Sequence, residues 1–287
     1  MIQGLSVSTI PVNPKEGDAQ VEITYATDKG SGTAMWLKDE TALPNDPRYT
    51  VTANSLKINS PGRSDSAVYT CNLTNPFSTS TIQKTISIFW SPEGVLPSHD
   101  ATAQPSGKVS VTISCKGSSQ PPATVTWSKA GQLLTSGGIY TISNDTTDLT
   151  ITGFNISGGD LTTYTCVSTN LLGSQKSSIS LTGPAISKSS ILVNPTHTVV
   201  TLTWETPRDS VVTGFDVQMT GPALQRSSTS RAATDWRTIQ TKGPEARTTD
   251  ISPLQPGEIY QFRVKPMVGR NEGPPSETYS LGQGEWP

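Results

Sequence analysis

The sequence predicts an all-β protein built as tandem β-sandwiches, and three observations support this fold class. Charged residues make up 15% of the 287 residues and hydrophobic residues 33%, so that Ser and Thr fill much of the chain, which suits strands better than long helices. The 24 Gly and 22 Pro place a turn signal roughly every six residues. Between the turns, short runs alternate apolar and polar side chains, as half-buried strands do. These runs group into three predicted domains, residues 1–91, 92–182 and 183–287.

The first stretch shows this alternation before an aromatic residue and a Cys. Residues 21–25, VEITY, alternate apolar and polar side chains and end at Tyr25. Trp36 follows eleven residues later, and a DSAVYTC run then places Tyr69 two residues before Cys71. We predict that the apolar members of these runs point inward and fill one two-sheet core.

The second stretch repeats the same spacing in a more complete form. A KVSVTISC run ends in Cys115, and Trp127 follows twelve residues later. A DLTTYTC run then places Tyr164 two residues before Cys166. The repeated order of strand, Trp and Tyr-x-Cys predicts that the first two stretches fold alike.

The third stretch contains no Cys and follows a different pattern. Alternation in VVTLTWE leads to Trp204, and residues 254–264 read LQPGEIYQFRV, with Tyr260 in the middle. Residues 271–276, NEGPPS, supply a turn directly afterwards. We therefore predict a third sandwich of another family, joined to the second by a short Pro-containing linker near residues 181–184.

The order of Cys115, Trp127 and Cys166, with Tyr164 between the last two, resembles an immunoglobulin domain. The first stretch resembles the same family, except that Tyr25 stands where the first Cys is normally found. The spacings from Tyr25 to Cys71 and from Cys115 to Cys166 are both too short for a variable-type domain and are similar to those of the C2 or I types. The LQPGEIYQFRV run resembles the Leu-x-Pro-Gly-x-x-Tyr-x-Phe-x-Val pattern of fibronectin type III domains.

This resemblance implies structural roles for several residues. Cys115 and Cys166 are expected to form a disulfide between the two sheets of their domain, whereas Cys71 has no partner within its own domain. Cys71 has two interpretations: a free thiol for an intermolecular disulfide, or a small buried residue, which we favour because its strand position points inward. The expected core indoles are Trp36, Trp127 and Trp204, and the expected tyrosine-corner residues are Tyr69, Tyr164 and Tyr260.

Three Asn-x-Ser/Thr sequons are candidate N-glycosylation sites, at Asn72, Asn144 and Asn155. A chain this rich in Ser and Thr contains about this number of sequons by chance, so they indicate secretion only where glycans are found. Asn72 follows Cys71 on the same predicted strand, and its side chain is therefore expected to point outward.

A basic stretch in the third domain is a candidate site for an acidic partner or a glycosaminoglycan. Residues 220–236 form a longer loop than a fibronectin type III domain needs. The candidate cations in and beside it are Arg226, Arg231 and Arg237. The alternative is a solvated loop without a partner, which we favour because it is the usual role of such a run.

Catalysis, cofactors, metal ions and nucleic acid are not expected. The two His residues do not stand in a pattern that brings a base to a nucleophile, and three scattered Cys do not suit zinc. The net charge of −2 is spread evenly, which leaves no basic stripe for phosphates. No stretch is long and apolar enough to span a membrane. The start, Met-Ile-Gln-Gly, is not typical of a signal peptide, so we expect a cytosolic protein or a piece of a longer one.

The domain order resembles that of immunoglobulin-superfamily adhesion proteins and receptors. The YTCNLTNPFS run around Asn75 is similar to a stretch of leukocyte and carcinoembryonic-antigen-type surface proteins. The resemblance implies an extracellular module, a fragment of a single-pass membrane protein, that binds a protein partner, either a second copy or a related receptor. The alternative is a cytoplasmic structural array of the titin type. Glycans with an intact disulfide favour the first hypothesis, and free thiols without glycans favour the second.

Overall fold

The computed structural model describes residues 1–196, 198–221 and 236–282. It confirms the all-β fold class, because the regular structure of these residues is β-strands and one 3₁₀ turn, Arg63–Asp65. The strands form six sheets, two for each of three successive β-sandwiches. The chain divides into two compact units: the first contains residues 1–95 with segments 117–124 and 168–175, and the second contains residues 96–116, 125–167 and the described residues between 176 and 282.

The first sandwich contains strands β1 (Ser6–Ile10), β2 (Gln20–Ala26), β3 (Thr33–Lys38), β4 (Thr41–Ala42), β5 (Tyr49–Val51), β6 (Ser55–Asn59), β7 (Ala67–Asn75) and β8 (Ser78–Ile86). One sheet has the order β1-β2-β6-β5 and the other β4-β3-β7-β8. All neighbouring strands in both sheets are antiparallel.

The core of this sandwich forms from the inward side chains of both sheets. Val21 and Ile23 of β2 have no exposed surface, and neither do the β6 residues paired with them. From the other sheet, Trp36 of β3 lies beside Cys71 of β7, and both are buried. Burial of a large apolar side chain stabilises a fold by about 1.5–3 kcal/mol. The alternation that predicts β2 is thus an alternation between core and solvent.

The second sandwich contains strands β9 (Trp90–Ala103), β10 (Val109–Gln120), β11 (Thr124–Lys129), β12 (Gln132–Leu134), β13 (Tyr140–Ile142), β14 (Asp148–Thr152), β15 (Thr163–Asn170) and β16 (Gly173–Ser180). Its sheets have the orders β13-β14-β10-β9 and β12-β11-β15-β16. Val111 and Ile113 of β10 pair with Ile151 and Leu149 of β14, and all four are fully buried.

The third sandwich contains strands β17 (Lys188–Val193), β18 (Val200–Glu205), β19 (Gly214–Thr220), β20 (Arg237–Lys242), β21 (Thr248–Ile251), β22 (Tyr260–Val268), β23 (Asn271–Glu272) and β24 (Tyr279–Leu281). One sheet has the order β17-β18-β21, and the other has β20-β19-β22-β23 with β24 also paired to β22. The Trp204 ring lies 5.3 Å from the Phe215 ring in its core.

Candidate recognition surface

The three predicted core indoles all lie inside their sandwiches. Trp36, Trp127 and Trp204 are 4%, 1% and 2% exposed. The Trp127 Nε1 atom donates to the Thr146 carbonyl at 2.9 Å, whereas the other two indole nitrogens have no hydrogen-bond partner among the described residues. With these three indoles inside, the surfaces that remain for a partner are the outer faces of the sheets and the loops.

The hydroxyl groups of the three predicted tyrosine-corner residues all form hydrogen bonds with the backbone. The hydroxyl groups of Tyr69 and Tyr164 donate to the backbone carbonyl four residues earlier, at 2.9 and 3.2 Å. The Tyr260 hydroxyl instead accepts the Gln255 backbone N–H at 3.2 Å. Burial raises the pKa of Tyr164 to about 12, which keeps the donating proton in place at neutral pH.

The cysteines fall into one bonded pair and one buried thiol. Cys115 and Cys166 form a disulfide with their Cα atoms 6.5 Å apart. Cys71 is unpaired and fully buried, and burial raises the pKa of its thiol to about 11. Tyr25 stands where the first Cys of an immunoglobulin domain is normally found. Its ring lies 6.5 Å from that of Trp36, and its hydroxyl donates to the Ala53 carbonyl at 2.9 Å. A buried thiol with a raised pKa packs as an apolar side chain and reacts slowly.

A buried carboxylate anchors the chain where it enters β7. The Asp65 side chain is 1% exposed and accepts hydrogen bonds from Arg48 Nη1 at 2.7 Å, the Gly62 N–H at 2.8 Å, and the Tyr49 hydroxyl. Burial by itself raises the pKa of Asp65, but these hydrogen bonds outweigh burial and hold the pKa below its usual value. Asp65 therefore stays ionised and fixes the turn from which β7 starts.

The three sequons lie in two different settings. Asn72 is in the middle of β7, and its Oδ1 accepts a hydrogen bond from Thr81 Oγ1 at 2.7 Å. Asn144 and Asn155 are exposed and lie in the connections on either side of β14. A glycan on Asn72 would thus stand on a sheet face, whereas glycans on the other two would stand on loops.

Only one of the three candidate arginines lies within the described residues. Arg237 begins β20 and pairs with Met219 of β19. Arg226 and Arg231 lie outside the described residues. The proposed role of these arginines in binding an acidic partner therefore stays a prediction.

On one outer surface of the first sandwich, the strand residues carry no charged side chain. The register of β3, β7 and β8 sets Met35, Asn72 and Thr81 in one row. Because successive side chains of a strand point to opposite faces, alternate residues of these strands share the side of the sheet that faces away from the core. We call this surface the Thr-rich face; its members are Thr33, Met35, Leu37, Val68, Thr70, Asn72, Thr74, Thr79, Thr81, Gln83 and Thr85, of which Thr70 is buried.

The lysines of these strands are on the opposite side of the sheet. Lys38 and Lys84 both pair with Tyr69, whose side chain is buried in the core, so all three share the inner side. Lys38 Nζ donates to the Tyr49 hydroxyl at 3.2 Å and lies 3.8 Å from Asp65. The lack of charge on the Thr-rich face is therefore a consequence of strand register.

The apolar residues at this surface are unusually exposed. Met35 is 56% exposed within the face, and Phe77 is 86% exposed at the turn between β7 and β8. The Asn75 side chain fixes this turn, because its Oδ1 accepts the backbone N–H groups of Phe77 and Ser78 at 3.0 and 2.9 Å. Depletion of charge together with exposed Met and aromatic side chains is typical of the centre of a protein–protein interface.

A second cluster lies around Trp90 in the first unit, and the sequence did not predict its contacts. The Arg63 guanidinium lies 4.7 Å from the Trp90 ring and forms ion pairs with Glu16, at 2.8 Å, and with Glu93. The Trp90 Nε1 atom donates to Ser118 Oγ at 3.1 Å. Trp90 is partly exposed, so it packs under a cation and is not a core residue.

Three further features of the described residues concern metal binding, membrane spans and ligand binding. No group of three His, Cys, Asp or Glu side chains among them is arranged to hold a metal ion. No helix in the described ranges has the length and apolarity to cross a membrane. An open cleft in the second unit is lined by charges of both signs, including Lys188, Glu205 and Arg208, and so favours neither an anionic nor a cationic ligand.

Comparison with known families identifies two of the domains. The immunoglobulin I-set domain model matches residues 97–182, and the fibronectin type III domain model matches residues 184–281. Both kinds of domain are non-catalytic. The predicted resemblance to these families is thereby confirmed for the second and third sandwiches.

The relatives of the chain are much longer proteins. Mouse receptor-type tyrosine-protein phosphatase F is 26% identical over 264 residues, which cover 87% of this chain and 13% of the phosphatase. Human hemicentin-1 is 28% identical over 148 residues, which cover 51% of this chain and 3% of hemicentin-1. Among solved structures, the titin I-band fragment I67-I69 matches with a TM-score of 0.42 and 15% identity, covering 98% of this chain and 96% of the fragment.

The chain spans only 13% of the length of the receptor-type phosphatase, so the activity of that protein is not assigned to this chain. The chain therefore contains an immunoglobulin I-set domain followed by a fibronectin type III domain, and its relatives include a receptor-type phosphatase and hemicentin-1.

Proposed function

We propose that this chain is an extracellular recognition module that binds a second copy of itself through the Thr-rich face. The observation that carries the proposal is the absence of charge from a face that also exposes Met35 and adjoins Phe77. In a two-fold contact each patch meets the same patch of the other copy. A charged face would repel its own copy, whereas an uncharged face does not.

The face also offers suitable polar groups for such a contact. Threonine hydroxyls both donate and accept hydrogen bonds, so a face of this composition is chemically complementary to itself. With Met35 as the main exposed apolar side chain of the face, little apolar area is available, and we expect a weak, reversible association. Weak contacts of this kind act in numbers at a surface, where many copies bind together.

Two observations support a location outside the cell. The Cys115–Cys166 disulfide is of the kind that forms and persists in oxidising compartments. The relatives include a receptor-type protein, as its name states. We also propose that residues 1–91 form a separate immunoglobulin-like domain that carries the binding surface, and that two further domains follow at 92–182 and 183–287.

A charge-swap experiment tests the proposed contact. Met35→Lys and Met35→Glu each place a charge in the centre of the Thr-rich face, at a site exposed enough to leave the fold stable. We expect wild-type protein made without N-glycans to self-associate in sedimentation velocity, each variant alone to remain monomeric, and the mixture of the two variants to associate again. Opposite charges across the contact attract, and this recovery distinguishes a face-to-face contact from general loss of folding.

The matched control is Ser8→Lys, which adds the same charge at an exposed position of β1, in the other sheet. This variant should associate like the wild type. A wild-type protein that stays monomeric at every accessible concentration would overturn the proposed partner, and so would a Met35→Lys variant that associates as well as Ser8→Lys.

A further inference from the structure

One sequon lies in the centre of the Thr-rich face. β7 is the middle strand of the three that form the face, and Asn72 stands in the same row as Met35 and Thr81. The sequon partner Thr74 is exposed on the same face, while Leu73 between them is fully buried. Both residues that define this modification signal therefore belong to the proposed contact surface.

The Asn72 amide is held in a way that suits a glycan. Its Oδ1 accepts the Thr81 hydroxyl at 2.7 Å, which fixes the amide plane without using the nitrogen. Among the described residues no hydrogen bond involves Nδ2, the atom to which an N-linked sugar is attached. The Asn155 Oδ1 likewise accepts a hydrogen bond, from the Ser157 N–H at 2.9 Å, but it does so within an exposed connection and not on the Thr-rich face.

We infer that N-glycosylation of Asn72 shields the Thr-rich face, so that a copy of the chain can associate only when this sequon carries no glycan; the inference rests on the proposed function. In the modification the Asn72 Nδ2 atom forms a bond to the anomeric carbon of an oligosaccharide carried on a lipid diphosphate. The bond from that carbon to the diphosphate oxygen breaks, the diphosphate leaves with the electron pair, and an amide proton passes to a base of the transferring enzyme.

A glycan at this position affects binding through its size. A bulky, hydrated oligosaccharide that projects from the middle row of the face covers Met35 and Thr81 and keeps a second face at a distance. A glycan on Asn144 or Asn155 stands on a connection next to β14 of the second sandwich and not on the Thr-rich face, and should leave association unchanged.

The test compares sequon variants of the chain made in secretory animal cells. Thr74→Ala removes the sequon and leaves Asn72 in place, whereas Thr74→Ser keeps the sequon. We expect peptide mass spectrometry to find a glycan on Asn72 in the wild type and in Thr74→Ser but not in Thr74→Ala. In sedimentation velocity, Thr74→Ala and the wild-type copies that lack the Asn72 glycan should associate, although Thr74→Ala lacks one hydroxyl of the face, while copies that carry the glycan stay monomeric. Asn155→Gln should behave like the wild type.

A second readout measures shielding without any association. In a Met35→Cys background, the rate of labelling by a bulky polyethylene-glycol maleimide reports access to the face, because Cys71 is buried and reacts slowly. We expect labelling to be several-fold slower with the glycan than in the Thr74→Ala version. An Asn72 without glycan in the wild type, or equal labelling rates with and without it, would overturn the inference. If labelling is slowed but no sample associates, the shielding stands and the proposed self-association fails.

Discussion

At the residue scale, the position of Tyr25 marks the main difference between the first two sandwiches. Tyr25 ends the inward alternation of β2, as Cys115 ends that of β10. Cys71 and Cys166 both stand two residues after a buried tyrosine on the strand of the other sheet. The first sandwich therefore keeps the geometry of the bridged one, with an aromatic ring in place of a sulfur.

This equivalence predicts that Tyr25→Cys forms a disulfide with Cys71. Because a bridge restricts the unfolded chain, we expect the oxidised variant to exceed Tyr25→Ser in unfolding free energy by about 2–4 kcal/mol. Tyr25→Ser is the control, since it loses the same contact with Trp36 and the same hydroxyl hydrogen bond. Urea unfolding with and without reductant measures the difference. Two free thiols at positions 25 and 71 under oxidising conditions would show that the strands do not have the equivalence assigned here.

At the scale of single elements, β7 combines a fixed start with a fixed register. Asp65 holds its entry turn through Arg48, and Tyr69 closes the corner by donating to the Asp65 carbonyl. The strand then lies between β3 and β8 and sets the row that contains Asn72. The geometry of the Thr-rich face thus depends on a carboxylate on the opposite, buried side of the sheet.

Protonation of Asp65 is expected to weaken the first sandwich in acid. The pKa of Asp65 is lower in the folded chain than in the unfolded chain, so its stabilisation is present above the unfolded value of about 4 and is lost as the pH falls below it. Asp65→Asn should cost about 2 kcal/mol at neutral pH, and its deficit relative to the wild type should shrink in acid. Reaction of Cys71 with a pyridyl disulfide during urea unfolding reports on this sandwich. The control is Asp28→Asn, which changes an exposed side chain and should leave the unfolding free energy close to that of the wild type. A constant deficit for Asp65→Asn would contradict the assignment.

Sequence alone predicts the strands well and the surface poorly, for a physical reason. The alternation in β2 or β10 is visible within a short stretch of sequence, because the inward positions of each strand are apolar. The Thr-rich face exists only once β3, β7 and β8 are in register, and register joins residues far apart in sequence. A search for strands whose outward positions lack charge would have found its members. The contact between Arg63 and Trp90 has no local signal, because loop geometry brings the two together.

At the scale of the whole molecule, the second unit contains a hydrogen-bonded junction between its I-set and fibronectin type III parts. Ser210 is 6% exposed, and its hydroxyl donates to the Gly183 carbonyl and accepts the Ala185 N–H, both at 2.9 Å. Its carbonyl lies 3.1 Å from His99 Nε2. The backbone of Thr182 forms a parallel β-bridge with that of Ser210. One serine thus ties together the linker, the first strand of the I-set domain and a loop of the fibronectin type III domain.

Replacement of Ser210 by Ala should loosen this junction while both sandwiches stay folded. The change leaves the Gly183 carbonyl and the Ala185 N–H without their partner, at a cost of about 1–2 kcal/mol. If opening of the linker limits exchange, hydrogen exchange at Ala185 should become roughly tenfold faster, since about 1.4 kcal/mol corresponds to that factor. Ser187→Ala is the matched control, because it removes one exposed hydrogen bond, to the Glu205 carbonyl, and leaves the junction intact. Unchanged protection at Ala185 in Ser210→Ala, measured by exchange mass spectrometry, would mean that the linker is held by the backbone bridge alone.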